Sequence, residues 1–382
     1  MAYTLSKDVL DYIEKTNAEA IDLLETLCQI PAPSGKEEKR VEFVKKWFED
    51  NGAEKVIVDD ALNVICPIGC EGKKELIVFM AHTDVVFPDL TPLPLKKNGN
   101  IYNCPGIGDD TACLVLMMLV AKYLFKTKLQ SNYGVLIVAN SCEEGLGNLK
   151  GCREIMKTYG DKVKEFYTFD GSYTHLINRC VGSHRYEIAF ETEGGHSFSA
   201  FGNTNAIAEM SKFITELYKC QVPVKENCKT TYNVGIVEGG TSVNTIAQNA
   251  KMLYEYRSDD KECLAIMQKF FEETMEKAKN TSKAKISVKL LGERPCEAEL
   301  DREYYEKFVQ NAVSVCEKHS GLPCIIESGS TDCNIPASMG IPSVCVGTHI
   351  SKGAHTREEI LDIMSMPIGY KITAELILSY FK

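Results

Sequence analysis

Five short segments of this 382-residue chain carry side chains that suit a pair of metal ions. They are His82-Thr83-Asp84, Gly108-Asp109-Asp110, Cys142-Glu143-Glu144-Gly145, Phe169-Asp170-Gly171 and Gly353-Ala354-His355-Thr356. Together they supply two histidines, two aspartates and a glutamate for ligation, with a second glutamate left for proton transfer. Imidazole, carboxylate and water suit zinc, and the same donors admit cobalt or manganese. Two metals clamped a few ångströms apart polarise a carbonyl and generate hydroxide at neutral pH, so the chemistry is hydrolysis. Taken singly, each segment has an ordinary alternative. Asp109-Asp110 suits a helix N-cap, Glu143-Glu144 a solvated loop, and His355 the start of a helix.

The segments need elements to gather them. Continuous apolar runs at 76–81, 134–139, 165–169 and 343–346 have the pattern of strands buried on both faces. Residues 112–124 are nearly all apolar and predict a buried helix. Helical spacing recurs at 8–28, 37–48 and 303–319. His82, the Glu143-Glu144 pair and Asp170 each follow a predicted strand, and open α/β sheets bind ligands at the carboxyl ends of their strands. Thr356 to Glu359 reads as a capping box that opens a helix, and Pro367 suits the first turn of the last one.

The middle of the chain reads β-α-β-β-α-β over 180–293, a ferredoxin-like order. The expected fold class is therefore α/β, a mostly parallel sheet with helices on both faces, interrupted by an α+β insert. Residues 1–179 and 294–382 would form one discontinuous domain around that insert.

A formal charge of −10 disfavours a nucleic-acid partner. No apolar run is long enough to span a bilayer. The first residues lack a signal-peptide core, which points to the cytoplasm. The 16 cysteines form no CxxC pair and suit buried, reduced thiols.

The five segments, in this order, resemble the M20 metallopeptidase family over nearly the whole chain. The insert adds Gly194-Gly195-His196-Ser197, the run Gly239-Gly240-Thr241-Ser242-Val243-Asn244, and Arg257. The resemblance implies that Asp109 bridges two metals, His82 and Asp170 complete one site, and Glu144 and His355 complete the other. It implies Asp84 as acceptor of the free imidazole N–H of His82, and Glu143 as general base toward a water shared by the metals. It also implies a cis Asp109–Asp110 bond and a homodimer assembled through the insert, in which His196 reaches the neighbouring subunit's site. Arg257 would grip a substrate carboxylate, with Asn244 helping to place it. Asp170, where deacylases and carboxypeptidases of the family tend to carry Glu, leans toward an aminopeptidase for short peptides, of the tripeptide aminopeptidase (peptidase T) kind. The alternatives are an N-acyl-amino-acid deacylase of the same superfamily and a catalytically silent binding or scaffold protein on this fold.

Overall fold

The computed structural model describes residues 3–382. The chain divides into two compact units, one running to Cys180 and resuming over Ala298–Lys382, the other Val181–Glu297.

In the first unit the apolar runs become the middle of an eight-stranded sheet. Its order is Ile57–Val58, Val64–Ile68, Gly134–Asn140, Leu76–His82, Val163–Phe169, Ser343–Val346, His175–Cys180, Ile325–Gly329. The four central strands, Gly134–Asn140 to Ser343–Val346, run parallel. Antiparallel pairing enters on either side of them. Every residue of Leu76–His82 and Gly134–Asn140 is buried. Their period of two sends Ile77, Phe79 and Ala81 into one core and Leu76, Val78 and Met80 into the other.

The first core packs against helices Lys7–Leu27, Glu38–Asp50, Cys113–Thr127, Arg302–Ser320 and Met366–Leu378. The second packs against Lys150–Tyr159 and Asn334–Ser338. Helices thus cover both faces, as the sequence implied. Cys113–Thr127 buries residues all round its first two turns, each large apolar side chain contributing roughly 1.5–3 kcal/mol. Parallel strands share one carboxyl edge. His82 lies in register with Asn140, and Phe169 with Val346, so the loops that follow them start at one rim.

A small four-stranded sheet, ordered Ser351–Lys352, Ile360–Asp362, Ile101–Asn103, Lys96–Asn98, brings the loop 353–359 beside the loop 104–109. This corrects the expectation of a helix opening at Thr356. The segment is a hairpin turn closed by Thr356 N–H donating to the Gly353 carbonyl at 3.0 Å. The Glu359 side chain does not cap its own backbone. It turns inward and accepts the N–H groups of Gly106, Gly108 and Asp109. Buried N–H groups need acceptors, and that demand overrides the local capping signal. The last helix does carry Pro367 in its first turn.

The second unit has the strand–helix order read from the sequence. Its antiparallel sheet is ordered Thr230–Gly239, Asn249–Ser258, Gly182–Glu191, Lys285–Arg294. Helices Ala206–Leu217 and Lys261–Thr281 share its apolar core. Asn205 and Asp260 cap them, each side chain accepting two N–H groups of the first turn. The unit runs to Glu297, and its last strand pairs past a bulge at Leu290/Gly292 as far as Arg294 with Ser183.

Candidate metal centre

His82 ends its strand with its N–H donated to Asp110 Oδ2 at 2.9 Å. Its Nδ1 lies 3.0 Å from the Asp84 carbonyl and 3.5 Å from Asp84 Oδ1. The ring therefore donates from Nδ1, and Nε2 is the atom it would turn to a metal ion. Asp84 is thus the residue that faces this N–H, and its carbonyl is the nearer acceptor. The Asp84 carboxylate takes other donors: the N–H groups of Glu143 and Glu144, each at 3.0 Å, and the Ser34 hydroxyl at 2.6 Å. Asp84 thus holds the Glu143-Glu144 backbone as well as the histidine.

Asp109 presents one oxygen to each histidine. Oδ1 lies 3.1 Å from His82 Nε2, and Oδ2 lies 3.1 Å from His355 Nε2. His355 Nε2 is also 3.2 Å from Glu144 Oε2. Two triads follow, His82 with Asp109 and Asp170, and Asp109 with Glu144 and His355, the ligand atoms of each lying within 4.8 Å of one another. A third grouping, His82 with Glu143 and Glu144, places the second glutamate beside the same centre. The N-cap reading of Asp109-Asp110 fails. The Asp109 carboxylate faces the two histidines and that of Asp110 accepts the His82 N–H, and no side chain caps the helix Cys113–Thr127. The Asp109–Asp110 bond is cis.

Two residues at this rim have positive φ without being glycine, Cys142 at 56° and His355 at 64°. Such backbone costs about 1–3 kcal/mol and persists only where surroundings impose it. Cys142 is held by Glu37, whose Oε1 accepts its N–H at 3.0 Å and that of Gly35 at 2.8 Å.

The electrostatics ask for cations. Burial pushes the Glu144 carboxyl up to about 7 against the opposing pull of His355. Burial, then Asp109 and Asp110, pushes Asp170 well above the usual aspartate range. The Asp109 and Glu144 carboxylates raise His355 to about 11. Burial alone would depress His82, but Asp109 and Asp84 raise it well above its ordinary value. Carboxylates crowded out of water with protonated histidines as counter-charges form a site that divalent ions would neutralise better. Two imidazoles and three carboxylates, with Asp109 shared by both triads, fit such ions by donor type and spacing.

The substrate residues expected from the sequence lie in the second unit. His196 sits on the short strand Gly195–His196, paired with Thr245–Ile246. Asn244 adjoins it, its carbonyl accepting Ser197 N–H at 3.0 Å. Gly195 is at φ +138, and a Cβ there would lie 2.6 Å from that of Ala200, so only glycine fits. His196 Nδ1 accepts the N–H groups of Phe198 and Ser199 at 3.3 and 3.4 Å. That leaves its proton on Nε2, as an outward donor. Arg257 lies elsewhere on this unit's sheet, its fork bound to both oxygens of Glu255 at 2.9 Å.

The profile of peptidase family M20/M25/M40 matches residues 78–379, a span holding all five metal-ligand candidates. This chain belongs to that family. The M20 fold is shared with a tripeptidase from Staphylococcus aureus subsp. aureus Mu50, at TM-score 0.74 and 22% identity over 94% of this chain and 97% of that one. It is shared with aminopeptidase PepT from Bacillus cereus ATCC 10987, at 0.69 and 21% over 94% and 98%. It is shared too with the dipeptidase Dug1p from Saccharomyces cerevisiae, at 0.75 and 16% over 97% and 98%.

Two residues of this M20 peptidase were invisible to sequence reasoning. Glu37 follows Pro33-Ser34-Gly35 and looks like any acid at a helix start, yet it is wholly buried against Cys142. Glu359 has the sequence position of a capping residue, three after Thr356. Neither carries a local signal of its true partner, which lies on a distant loop.

Proposed function

We propose that this M20 peptidase is a dinuclear aminopeptidase acting on short peptides, with zinc, cobalt or manganese in its two sites, and that it works in the cytoplasm. The observation that carries the reading is Asp109, each of whose oxygens faces a different histidine at 3.1 Å. Among the described residues no helix is long and apolar enough to cross a membrane.

Two divalent ions there would supply Lewis acidity toward the scissile carbonyl and lower the pKa of a bound water. The chain's own residues do the rest. Glu143, its backbone pinned by Asp84, takes a proton from the attacking water and passes it to the leaving amine. His196, with Nδ1 occupied by two N–H donors, offers Nε2–H to the oxygen on which charge develops. Arg257 grips the peptide's terminal carboxylate by exchanging Glu255 for it, since a guanidinium fork takes either carboxylate in the same way.

Asp170 in place of Glu supports the aminopeptidase branch, as does the fold shared with a tripeptidase and with PepT. The test is a panel of di- and tripeptides, free, N-acetylated or C-amidated, with each metal. Free peptides should be cleaved best. N-acetylation should abolish cleavage, and amidation should lower kcat/KM through the lost Arg257 contact, a loss that Arg257→Ala erases. Faster hydrolysis of N-acetyl amino acids than of any free peptide would replace this reading with the deacylase one.

A homodimer joined through Val181–Glu297, with His196 serving the neighbouring site, belongs to the same proposal. Mixing His196→Ala with Glu143→Ala chains should restore partial activity that neither parent has, because one site of each mixed dimer carries neither defect. Full activity in a monomer, or no restoration after proven subunit exchange, would refute it.

A further inference from the structure

We propose that Glu359 is a positioning residue for the metal centre, locking the loop that carries Asp109 to the hairpin that carries His355. The inference rests on the dinuclear reading above.

Glu359 is fully buried. Its Oε2 accepts Gly106 N–H at 2.6 Å, and its Oε1 accepts Gly108 N–H at 2.8 Å and Asp109 N–H at 2.9 Å. Both oxygens are thus committed to backbone donors, which sets Glu359 apart from a metal ligand. Its own backbone belongs to the hairpin of His355. Glu359 N–H donates to the Thr356 carbonyl at 3.3 Å, and its carbonyl accepts Asn103 Nδ2–H at 2.7 Å. One side chain therefore joins two ligand-bearing segments that lie 250 residues or more apart in sequence.

The glycines make the junction possible. Gly106 has φ +75, and a Cβ on it would lie 2.3 Å from Val85 Cγ1. A Cβ on Gly108 would lie 2.7 Å from Ser351 Cβ. Without side chains at either position, the N–H groups of Gly106, Gly108 and Asp109 converge on one carboxylate, while that of Ile107 between them goes to the Cys104 carbonyl. The consequence falls on Asp109, whose oxygens must keep facing His82 and His355 at 3.1 Å. A bridging carboxylate whose main chain can rotate loses that double alignment.

Glu359→Gln is nearly isosteric but must set an amide N–H₂ against a backbone N–H, donor facing donor. Groups that orient metal ligands typically change metal affinity by about 10–100-fold when removed. The experiment loads chelator-stripped wild type and Glu359→Gln with Co²⁺ and follows ions bound per chain, affinity and the visible absorption bands. Amide hydrogen exchange of Gly106, Gly108 and Asp109 is measured in both metal-free proteins.

Wild type should bind two ions. The folded variant should bind at least one of them about 10–100-fold more weakly, with altered Co²⁺ bands, and should exchange the three amides faster. A folded variant with wild-type affinity and bands overturns the role of Glu359 and leaves the dinuclear reading intact. Wild type that binds no pair of ions overturns that reading and the inference with it. If Glu359→Gln does not fold, Glu359→Asp keeps the anion but shortens its reach, and intermediate affinity is expected. If neither folds, slow exchange of the three amides in metal-free wild type supports the clamp and fast exchange overturns it.

Discussion

Glu143→Ala should keep its fold and its metal binding yet lose about 10²–10⁴-fold in kcat, or more, since in the proposed mechanism the same carboxylate serves as base and then as acid. That loss corresponds to roughly 2.7–5.5 kcal/mol of transition-state stabilisation. The fold survives because the backbone at this point is anchored independently of the side chain, with Glu143 N–H and Glu144 N–H both held by Asp84 at 3.0 Å. The metals survive because the two triads that include Asp109 do not need Glu143. Glu144→Ala should behave in the opposite way, losing the ion held with His355. Elemental analysis beside steady-state rates separates the two. If Glu143→Ala dropped an ion while Glu144→Ala kept both, the roles of the pair would be reversed.

Asp109→Ala should lose both ions, not one. The side chain is the only member common to the two triads, and its removal takes an acceptor from each histidine at once. Activity should fall to background, and the gain in thermal stability that wild type receives from added metal should vanish. For wild type that gain grows as RT ln(1 + [L]/Kd), about 2.7 kcal/mol at a hundredfold excess over Kd. One retained ion with unchanged affinity would defeat the bridging assignment.

The same pair of contacts fixes the sign of a pH effect. Asp109 and Glu144 hold His355 protonated up to about 11 in the metal-free protein. This interaction stabilises the metal-free fold below the ordinary histidine range and is lost as pH rises through the raised value. A metal must displace that proton, so uptake releases acid and weakens as pH falls. Calorimetric titration in buffers of different ionisation enthalpy would count the protons released.

Much of the centre was legible in the chain because its signals are local. Buried parallel strands announce themselves as unbroken apolar runs, and His82 and Asp170 lie at or just past the ends of two of them. One strand of the insert was legible by the polar–apolar alternation of 185–191, since helices cover one face of that sheet. The strands His175–Cys180 and Ile325–Gly329 were not, being mixed in burial and without a clean period. Val64–Ile68 was obscured by Pro67, which a strand near the sheet edge tolerates.

Sequence alone therefore determined the α/β class and the β-α-β-β-α-β order of the insert, and it named the five side chains that the structure brings together. Each is written in residue type and period over a few neighbouring positions. Tertiary structure alone decided where the buried carboxylates and the charged fork turned. Asp84 reaches 59 residues to Glu143, Glu37 reaches 105 to Cys142, and Glu359 reaches 253 to Gly106. Arg257 settled on Glu255, two positions away on its own strand. A carboxylate removed from water must find donors, and it takes whichever N–H groups the packed chain leaves unpaired. Which groups those are depends on how distant loops meet, and no local pattern in the sequence records it.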